Sequence, residues 1–563
     1  MKKLALLLGV AFSATFLGSP RALAQWQTVT YTLRGGWNAI YLHGEATHAT
    51  LDAQLADHPS VRSVWRWNPN PEQAGFLTTP LLPGAGTPEW SVWTRGDPAG
   101  STLSVLDGRS AYLVECLGAA TDTISLPITQ RVLPPRATWV RDGANLIGFP
   151  TRKTGSAYPA FSTYFATFPT ALASGSRVYR YAGGPLGAAN PVQLFSTTSE
   201  RVDRDQAYWF EAPVVGDFYA PLEITASLPE GLAFGRAGSL ITVRVRNRSS
   251  APISVGVAPV ASAPAPAGQD PVVGPVPLLR RVFVAASASY ETTALGAGFT
   301  ETIAPQATTE LSFLVDRSAM TGAADAFYAS LLRFTDGSNL IDISLPVSAR
   351  VGTLAGLWVG DISLSGVQSK APGATGSATA RPLPLRVLLH VDDAGVARLL
   401  SQVFVGRLAA APESTGLCLR ESALLGSAKA DAARYVAGHL PLDRALSAGS
   451  GSVALGATLV RTVDLPFDDP VNPFVHAYHP DHDNLDARRQ PLPAGVESYA
   501  VRRVCAFTFA PAPIAGAPSV GWGSTVLGGT YSETITGLHK DPLAVTGTFL
   551  LRRVNESGAI TLN

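Results

Sequence analysis

The residue types best suited to chemistry are concentrated in residues 472–486, which read Asn-Pro-Phe-Val-His-Ala-Tyr-His-Pro-Asp-His-Asp-Asn-Leu-Asp. Neutral imidazoles are ligands for zinc, copper, nickel or iron, and carboxylates can complete such a coordination shell. The stretch therefore predicts a candidate metal site. Its potential ligands are His476, His479, His482, Asp481, Asp483 and Asp486.

Three interpretations of this stretch remain open. The histidines recur every three residues, but Pro480 disfavours a helix, so only a compact loop would bring them together. A calcium site would use Asp481, Asp483 and Asp486 with backbone carbonyls, although the glycine and closing glutamate of an EF-hand are absent. The third interpretation is an inter-strand loop in which Asp and Asn cap turns. His539 would join the cluster if its own turn folds against this loop.

Familiar catalytic templates give little support to an enzyme. Gly-x-Ser-x-Gly, His-Glu-x-x-His and Gly-x-x-x-x-Gly-Lys do not occur in the sequence. Ser524, in Gly-Trp-Gly-Ser, suggests a serine nucleophile, but it lacks a strand-to-helix context and a designated base. Exposed tryptophans could contact carbohydrate, although at strand spacing a core position is favoured. The candidates are Trp37, Trp65, Trp67, Trp90 and Trp93.

The N-terminal sequence predicts the compartment of the protein, and the charge balance limits the classes of partner that we expect. Residues 1–24 combine a Met-Lys-Lys start, a short apolar run and a small-x-small end, which predicts a Sec-type signal peptide and export to the periplasm, the cell surface or the medium. No later segment offers about 18 unbroken apolar residues, so no transmembrane segment is expected in the mature chain. The net charge is +1 without blocks of like charge, which argues against nucleic acid and anionic membranes as partners.

The three cysteines are too few for a disulfide framework or a Cys-x-x-Cys metal site. Export permits one bridge, between Cys418 and Cys505, because both fall in the same expected domain. The alternative is that Cys116, Cys418 and Cys505 are small buried hydrophobic residues. The sequence does not decide between the two.

An internal repeat follows the expected signal peptide. Three anchors in residues 25–130 have counterparts, in the same order, in residues 131–220. The first anchor is Gly-Trp-Asn-Ala-Ile-Tyr-Leu from Gly36, and its counterpart in the second copy is Gly-Ala-Asn-Leu-Ile-Gly-Phe from Gly143. Each anchor reads as a strand rich in aromatic and β-branched residues. Two small β modules are therefore predicted, each with one short helix, in residues 50–57 and 161–173.

Two stretches of alternating apolar and polar residues complete the expected architecture. Residues 221–351 contain six or seven short strands, which predicts an immunoglobulin-like sandwich with an Ala/Pro-rich loop at 261–277. Residues 352–563 contain Gly-Leu-Trp-Val-Gly from Gly356 and a β-hairpin around the turn 392–395. They predict a C-terminal β-sandwich or barrel. The expected fold is therefore mainly β and multidomain.

The Gly-Trp-Asn opening resembles repeats of exported, modular, β-rich bacterial proteins, in which it begins a compact β module. The Gly-Leu-Trp-Val-Gly opening and the segment around His479 are similar to C-terminal regions of large exported bacterial proteins. The resemblance implies an exported β protein and carries no active site. The expected signal peptide, the duplicated module, the sandwich-like middle and the missing catalytic templates favour a non-enzymatic protein, secreted or at the cell surface, that binds an extracellular protein or polysaccharide.

Two alternatives retain a role for the histidine-rich stretch. One is a metal-dependent extracellular hydrolase or oxidase that uses a transition metal. The other is a carbohydrate-binding module stabilised by calcium. Both depend on whether the side chains of residues 472–486 converge on one point.

Overall fold

The computed structural model describes residues 25–46, 50–68, 87, 89–140, 144–152, 157–187, 190–369, 377–407, 435–438, 449–469, 472, 477–479, 482–537 and 541–559. Nearly all the regular elements in these ranges are β-strands, and the helices are single turns. The prediction of a mainly β, multidomain chain is confirmed. No helix in the described ranges has the length and hydropathy needed to cross a membrane.

The first module is a sandwich of two antiparallel sheets, ordered β1-β7-β3 and β2-β6-β4-β5. Strands β1 and β7 alternate buried and exposed residues because the second sheet covers only one of their faces. Leu42, Tyr112 and Leu126 lie in the core between the sheets. The elements are β1 (Trp26–Arg34), β2 (Gly36–Leu42), β3 (Gly44–Ala46), α1 (Leu51–Gln54), β4 (Val61–Trp67), β5 (Trp90–Thr94), β6 (Ser110–Cys116) and β7 (Thr123–Val132).

The second module has one four-stranded sheet, ordered β8-β11-β9-β10, packed against short helices. This order matches β2-β6-β4-β5, since in both sheets the last strand lies between the first and second strands. Both short helices fall inside the segments predicted for them. The elements are β8 (Ala144–Ile147), α2 (Phe161–Tyr164), 3₁₀ turns at Phe165–Thr167 and Pro169–Leu172, β9 (Arg177–Arg180), β10 (Val192–Gln193) and β11 (Tyr208–Glu211).

A buried asparagine has the same function at the start of both sheets. The Asn38 side chain accepts a hydrogen bond from the Arg34 amide at 2.9 Å and donates to the Arg34 carbonyl at 2.7 Å. Asn145 makes the same pair of bonds with the amide and carbonyl of Val140, at 2.7 and 3.1 Å. In each case the asparagine side chain links its strand to the backbone of a residue four or five positions earlier, and in the first module this closes the turn that precedes β2. Gly36, at φ +88°, lets this turn lie directly on the second module's backbone.

The third unit is a two-sheet β-sandwich, ordered β12-β14-β20-β17-β18 and β13-β22-β21-β15-β19, with β16 beside β21. Its inward residues share one continuous core with the second module. The strands are β12 (Leu222–Ala226), β13 (Leu232–Ala233), β14 (Leu240–Asn247), β15 (Ile253–Ala261), β16 (Val272–Gly274), β17 (Leu278–Val284), β18 (Ser289–Ala294), β19 (Phe299–Ile303), β20 (Thr308–Val315), β21 (Phe327–Asp336) and β22 (Asp342–Arg350), with a 3₁₀ turn at Arg317–Ala319.

The C-terminal unit is a nine-stranded antiparallel sheet with its own core. Burial alternates along β28 and β29, so the sheet covers its core with one face. Gly360 allows β31 to approach, because a side chain there would collide with the Leu550 carbonyl oxygen. The strands are β23 (Gly356–Ser369), β24 (Ser377–Val391), β25 (Ala397–Arg407), β26 (Tyr435–Gly438), β27 (Gly449–Gly451), β28 (Thr458–Leu465), β29 (Val501–Phe509), β30 (Val526–Thr536) and β31 (Leu543–Asn555).

The first three units are joined by backbone hydrogen bonds as well as by apolar contacts. The Trp37 amide donates to the Gly184 carbonyl at 3.0 Å, and the Gly183 amide donates to the Trp37 carbonyl at 2.9 Å. The Arg152 amide donates to the Asn339 carbonyl of the sandwich at 3.2 Å. Because backbone groups fix these junctions, the two modules and the sandwich are held in one arrangement.

Candidate functional site

The described part of the histidine-rich stretch is a loop folded against residues 497–499, which precede β29. The His479 ring is buried, with its centroid 4.2 Å from the Tyr499 ring and 5.1 Å from the His482 ring. Nδ1 of His482 lies 3.4 Å from Oε1 of Glu497, and Oε2 of Glu497 accepts a hydrogen bond from the Asn484 amide at 2.8 Å. The loop therefore brings two of the predicted histidines together and adds a glutamate from beyond residue 486.

Two of the predicted carboxylates cap turns instead of facing the histidines. Oδ1 of Asp483 accepts from the Leu485 amide at 3.1 Å. Oδ1 of Asp486 accepts from the amides of Arg488 and Gln490, both at 2.8 Å. These bonds are those expected of the inter-strand-loop interpretation.

The other predicted ligands, His476 and Asp481, lie outside the described residues, as does His539. Within the described ranges, no three His, Cys, Asp or Glu side chains form a group that could hold a metal ion. The complete six-residue site therefore stays a prediction.

The remaining sequence candidates occupy interior positions where the structure describes them. Trp67, Trp90 and Trp93 are buried, while Trp37 and Trp65 are partly buried against the core. The Ser524 hydroxyl donates to the Gly521 carbonyl at 3.2 Å. Burial raises the pKa of the Cys116 and Cys505 thiols to about 12. Cys418 lies outside the described residues, so its pairing with Cys505 stays a prediction.

A cleft that the sequence did not indicate lies at the junction of the two N-terminal modules, and we call it the junction cleft. Its volume is about 290 Å³. The first module contributes β2, β4 and the start of β6, the second contributes β8, and the segment that links the modules completes the wall. The lining residues include Tyr41, Arg66, Trp67, Arg109, Ser110, Ala111, Arg136, Thr138, Asn145 and Ile147.

The charged side chains of the junction cleft are arginines. Arg66 forms an ion pair with Asp107, which does not line the cleft. Within the described part of the chain, no carboxylate lies within ion-pair distance of Arg109 or Arg136, and no acidic residue lines the cleft. The cleft thus presents uncompensated guanidinium groups beside an apolar floor.

The turn that carries Arg109 is held by a buried tyrosine. The Tyr112 hydroxyl accepts from the Asp107 amide at 2.7 Å and donates to the Asp107 carbonyl at 3.1 Å. Burial raises the pKa of Tyr112 to about 12, so the hydroxyl keeps its proton. In the second module, the Tyr208 hydroxyl likewise accepts from the Asp203 amide, at 2.8 Å.

The backbone of Arg109 is strained, with φ at +55°. A non-glycine residue in this left-handed region is disfavoured by about 1 kcal/mol. Asp205 is the counterpart of Arg109 in the corresponding turn of the second module, two residues after Asp203, and its φ is not positive. The shared fold of the modules therefore does not impose the strained conformation on Arg109.

A second cavity of about 30 Å³ adjoins the junction cleft and shares Tyr41, Arg109 and Arg136 with it. His43, which lines this cavity, places Nε2 2.9 Å from the Arg204 carbonyl oxygen. Burial, and then the positive charge of Arg204, lower the pKa of His43 to about 3. The imidazole is therefore neutral in the folded protein at physiological pH, and its Nε2–H donates to the carbonyl.

This pKa predicts a loss of stability in mild acid. Below pH 6.5 the unfolded chain protonates His43 and the folded protein does not, so unfolding is favoured increasingly until the pH approaches 3. The loss should not exceed about 1.4 kcal/mol per pH unit, and it should be smaller because the ring is only partly buried. The measurement is the melting temperature of wild type and His43→Gln between pH 7.5 and 4.5. Parallel pH profiles for the two proteins would contradict the expectation.

The junction cleft was missed because its arginines come from three separate segments, at positions 66, 109 and 136. No local spacing links them. The one available signal was the composition, since six of the 43 basic residues are lysines and 37 (43 − 6) are arginines. By itself an excess of arginine over lysine indicates only a compositional bias, because it does not place the arginines in one site.

Comparisons with known proteins give no family. No family model matches the chain, and no curated protein matches it. Among solved structures, the chain is similar to the Pseudomonas aeruginosa CupB2 chaperone, with 12% identity over 31% of this chain and 96% of the chaperone, at a TM-score of 0.15. It is also similar to the E. coli chaperone DraB, with 13% identity over 31% of this chain and 92% of that one, at a TM-score of 0.15. Scores this low carry no functional argument.

Proposed function

We propose that this chain is an exported, non-enzymatic binding protein, secreted or held at the cell surface, that captures an extracellular protein or polysaccharide in its junction cleft. Residues 1–24 act as the signal peptide in this proposal, and the two N-terminal modules are copies of one ancestral unit. The common strand order of their sheets and the matching bonds of Asn38 and Asn145 support that duplication.

The observation that carries the proposal is the construction of the junction cleft. Its two walls belong to modules whose backbones are hydrogen-bonded to each other through Trp37 and Gly184. Small-molecule and glycan sites are usually preformed, apolar at the floor, and equipped with a few polar groups that fix orientation. A cleft held in one arrangement also loses little conformational entropy when it binds a ligand.

The experiment compares two Ser→Trp variants of the exported full-length protein on arrays of extracellular polysaccharides and proteins. Ser110→Trp adds bulk inside the cleft, whereas Ser125→Trp adds the same bulk to the exposed face of β7 in the same module. We expect Ser110→Trp to abolish binding and Ser125→Trp to preserve it. Equal binding by the two variants, or catalytic turnover of a bound substrate, would contradict the proposal.

A metal-dependent hydrolase or oxidase is the second candidate, and a carbohydrate-binding module stabilised by calcium is the third. Both need a metal in the histidine-rich loop. The observation in favour of a metal is that the predicted ligands His479 and His482 are neighbours and that Glu497 lies beside His482, although these three do not by themselves form a group that could hold a metal ion. Elemental analysis of the purified protein, together with thermal melts with and without EDTA, separates both candidates from the first. A stoichiometric metal whose removal lowers the melting temperature would support the metal site. A metal-free protein with an unchanged melt would support the structural loop.

A further inference from the structure

We infer that the junction cleft binds a carboxylate-bearing ligand, and this inference rests on the proposed binding function. Arginine presents a planar fork of donors that matches a carboxylate in a bidentate geometry. Arg109 and Arg136 line the cleft beside Arg66, which is already paired with Asp107, and none of the described lining residues is acidic. The chemistry of the wall therefore selects a negatively charged group.

The pairing of the arginines supports this assignment. Other arginines of the modules have acceptors: Arg180 pairs with Glu200 at 3.0 Å, and Arg95 donates to the backbone carbonyls of Val61 and Leu55. Arg109 and Arg136 have no such partner in the described ranges, although the chain has 42 acidic residues for 43 basic ones. Unneutralised like charges in a concave site concentrate the positive potential there. A bound carboxylate would supply the missing counter-charge.

The strained backbone at Arg109 is an independent observation. Glycine or asparagine would adopt φ +55° at lower free energy than arginine does. Strain of this kind is often found where a side chain is held for a purpose other than folding. Because the corresponding turn of the second module avoids the conformation, the strain at Arg109 is consistent with selection for its guanidinium.

The size and floor of the cleft limit the ligand. About 290 Å³ lies at the lower end of small-molecule sites, and Trp67, Ala111 and Ile147 give the cleft apolar surface. A compact acid with an apolar face fits this description, and a uronic acid residue is an extracellular example. The residue could come from a free sugar acid or from an acidic polysaccharide, since both present the same carboxylate.

The test is calorimetric titration of the full-length mature protein with galacturonate, trigalacturonate and neutral galactose. Wild type should bind both uronates and not galactose. Arg136→Ala should weaken uronate binding at least tenfold. Arg62→Ala, an exposed arginine of β4 that does not line the cleft, is the matched control and should leave binding unchanged. Tighter binding of the trisaccharide would identify a polysaccharide as the source, and equal affinities would identify the free acid.

Arg109→Gly separates binding from folding. The substitution removes the guanidinium and also relieves the positive φ, so uronate affinity should fall at least tenfold while the melting temperature stays equal or rises. Equal affinities for galacturonate and galactose, or wild-type affinity in both Arg109→Gly and Arg136→Ala, would overturn the inference. If the wild type bound a neutral ligand and only Ser110→Trp lost that binding, the carboxylate assignment would be overturned and the proposed binding function would stand. Wild-type ligand affinity in Ser110→Trp would overturn both the carboxylate assignment and the proposed binding function.

Discussion

Replacing Glu533 with alanine is expected to destabilise the C-terminal unit by about 3–5 kcal/mol, because it leaves a buried arginine without its counter-charge. Glu533 and Arg503 lie on neighbouring strands β30 and β29 and form an ion pair inside the core. Their side chains are only 1% and 3% exposed. The Tyr531 hydroxyl donates a further hydrogen bond to Oε2 of Glu533 at 2.8 Å.

The size of this effect follows from the surroundings of the charge. A guanidinium in an apolar core loses its hydration, and the paired carboxylate supplies the compensating interaction. Removing only the carboxylate therefore exposes the whole desolvation penalty of Arg503. Replacing both partners with apolar residues, as in Arg503→Met with Glu533→Leu, removes that penalty, so the double variant should recover most of the lost stability.

The neighbouring ion pair provides the control. Arg502 of β29 lies 3.7 Å from Asp464 of β28, and both side chains are about 60% exposed. Asp464→Ala should change stability by less than about 1 kcal/mol, because water screens an exposed pair. Differential scanning calorimetry of the three variants should show one unfolding transition at a lower temperature in Glu533→Ala. The transition temperatures of the other two variants should change little. Equal transition temperatures in Glu533→Ala and Asp464→Ala would show that the buried ion pair is not required for stability.

The strands of the sandwich were predictable because one buried face leaves a period-two pattern in the sequence. Leu240–Asn247 and Thr308–Val315 are two such segments, in which apolar and polar residues alternate, and both are strands of the sandwich. The hairpin around 392–395 was also confirmed. Gly395 there has φ +82°, and Asp392 caps the turn by accepting from the Val396 amide at 2.8 Å. Local turn chemistry and local periodicity were enough for these elements.

Pairings between distant segments were not predictable in the same way. Strand Trp26–Arg34 pairs with Thr123–Val132, almost a hundred residues later, and this pairing supplies the second sheet of the first module. The hairpin of Leu278–Val284 and Ser289–Ala294 was missed for another reason. Ser289–Ala294 is exposed on both faces and Leu278–Val284 is mostly half-buried, with Phe283 and Tyr290 exposed, so the hairpin lacks a buried apolar stripe.

The same distinction applies to the candidate sites. The histidine-rich loop could be recognised in the sequence because its residues are contiguous. Its described carboxylates, Asp483 and Asp486, nevertheless accept hydrogen bonds from backbone amides. Glu497, which lies beside His482, falls outside the contiguous motif. The junction cleft assembles from segments that only the fold brings together. Contiguity made the loop conspicuous, whereas the cleft could be found only after the two modules were docked.

The docking of the modules predicts the second large effect. Trp209→Ala is expected to lower the free energy of unfolding of the N-terminal units by about 3–5 kcal/mol. Trp209 belongs to the second module and is fully buried. Its ring centroid lies 5.2 Å from that of Trp67 and 6.1 Å from that of Trp90, both in the first module. Its indole nitrogen donates to the Tyr181 hydroxyl at 3.1 Å. The substitution therefore opens a cavity between the modules and removes that hydrogen bond.

Phe195 provides the matched control, because it is an aromatic residue of the same module with 85% of its surface exposed. Phe195→Ala should leave the melting temperature within about 1 °C of wild type, since a surface substitution changes stability little. Trp209→Ala should also weaken ligand binding, because Trp67 contacts Trp209 on one side and lines the junction cleft on the other. If Trp209→Ala melted and bound like Phe195→Ala, backbone hydrogen bonds alone would hold the modules together. In that case the shape of the cleft would not depend on the shared aromatic core.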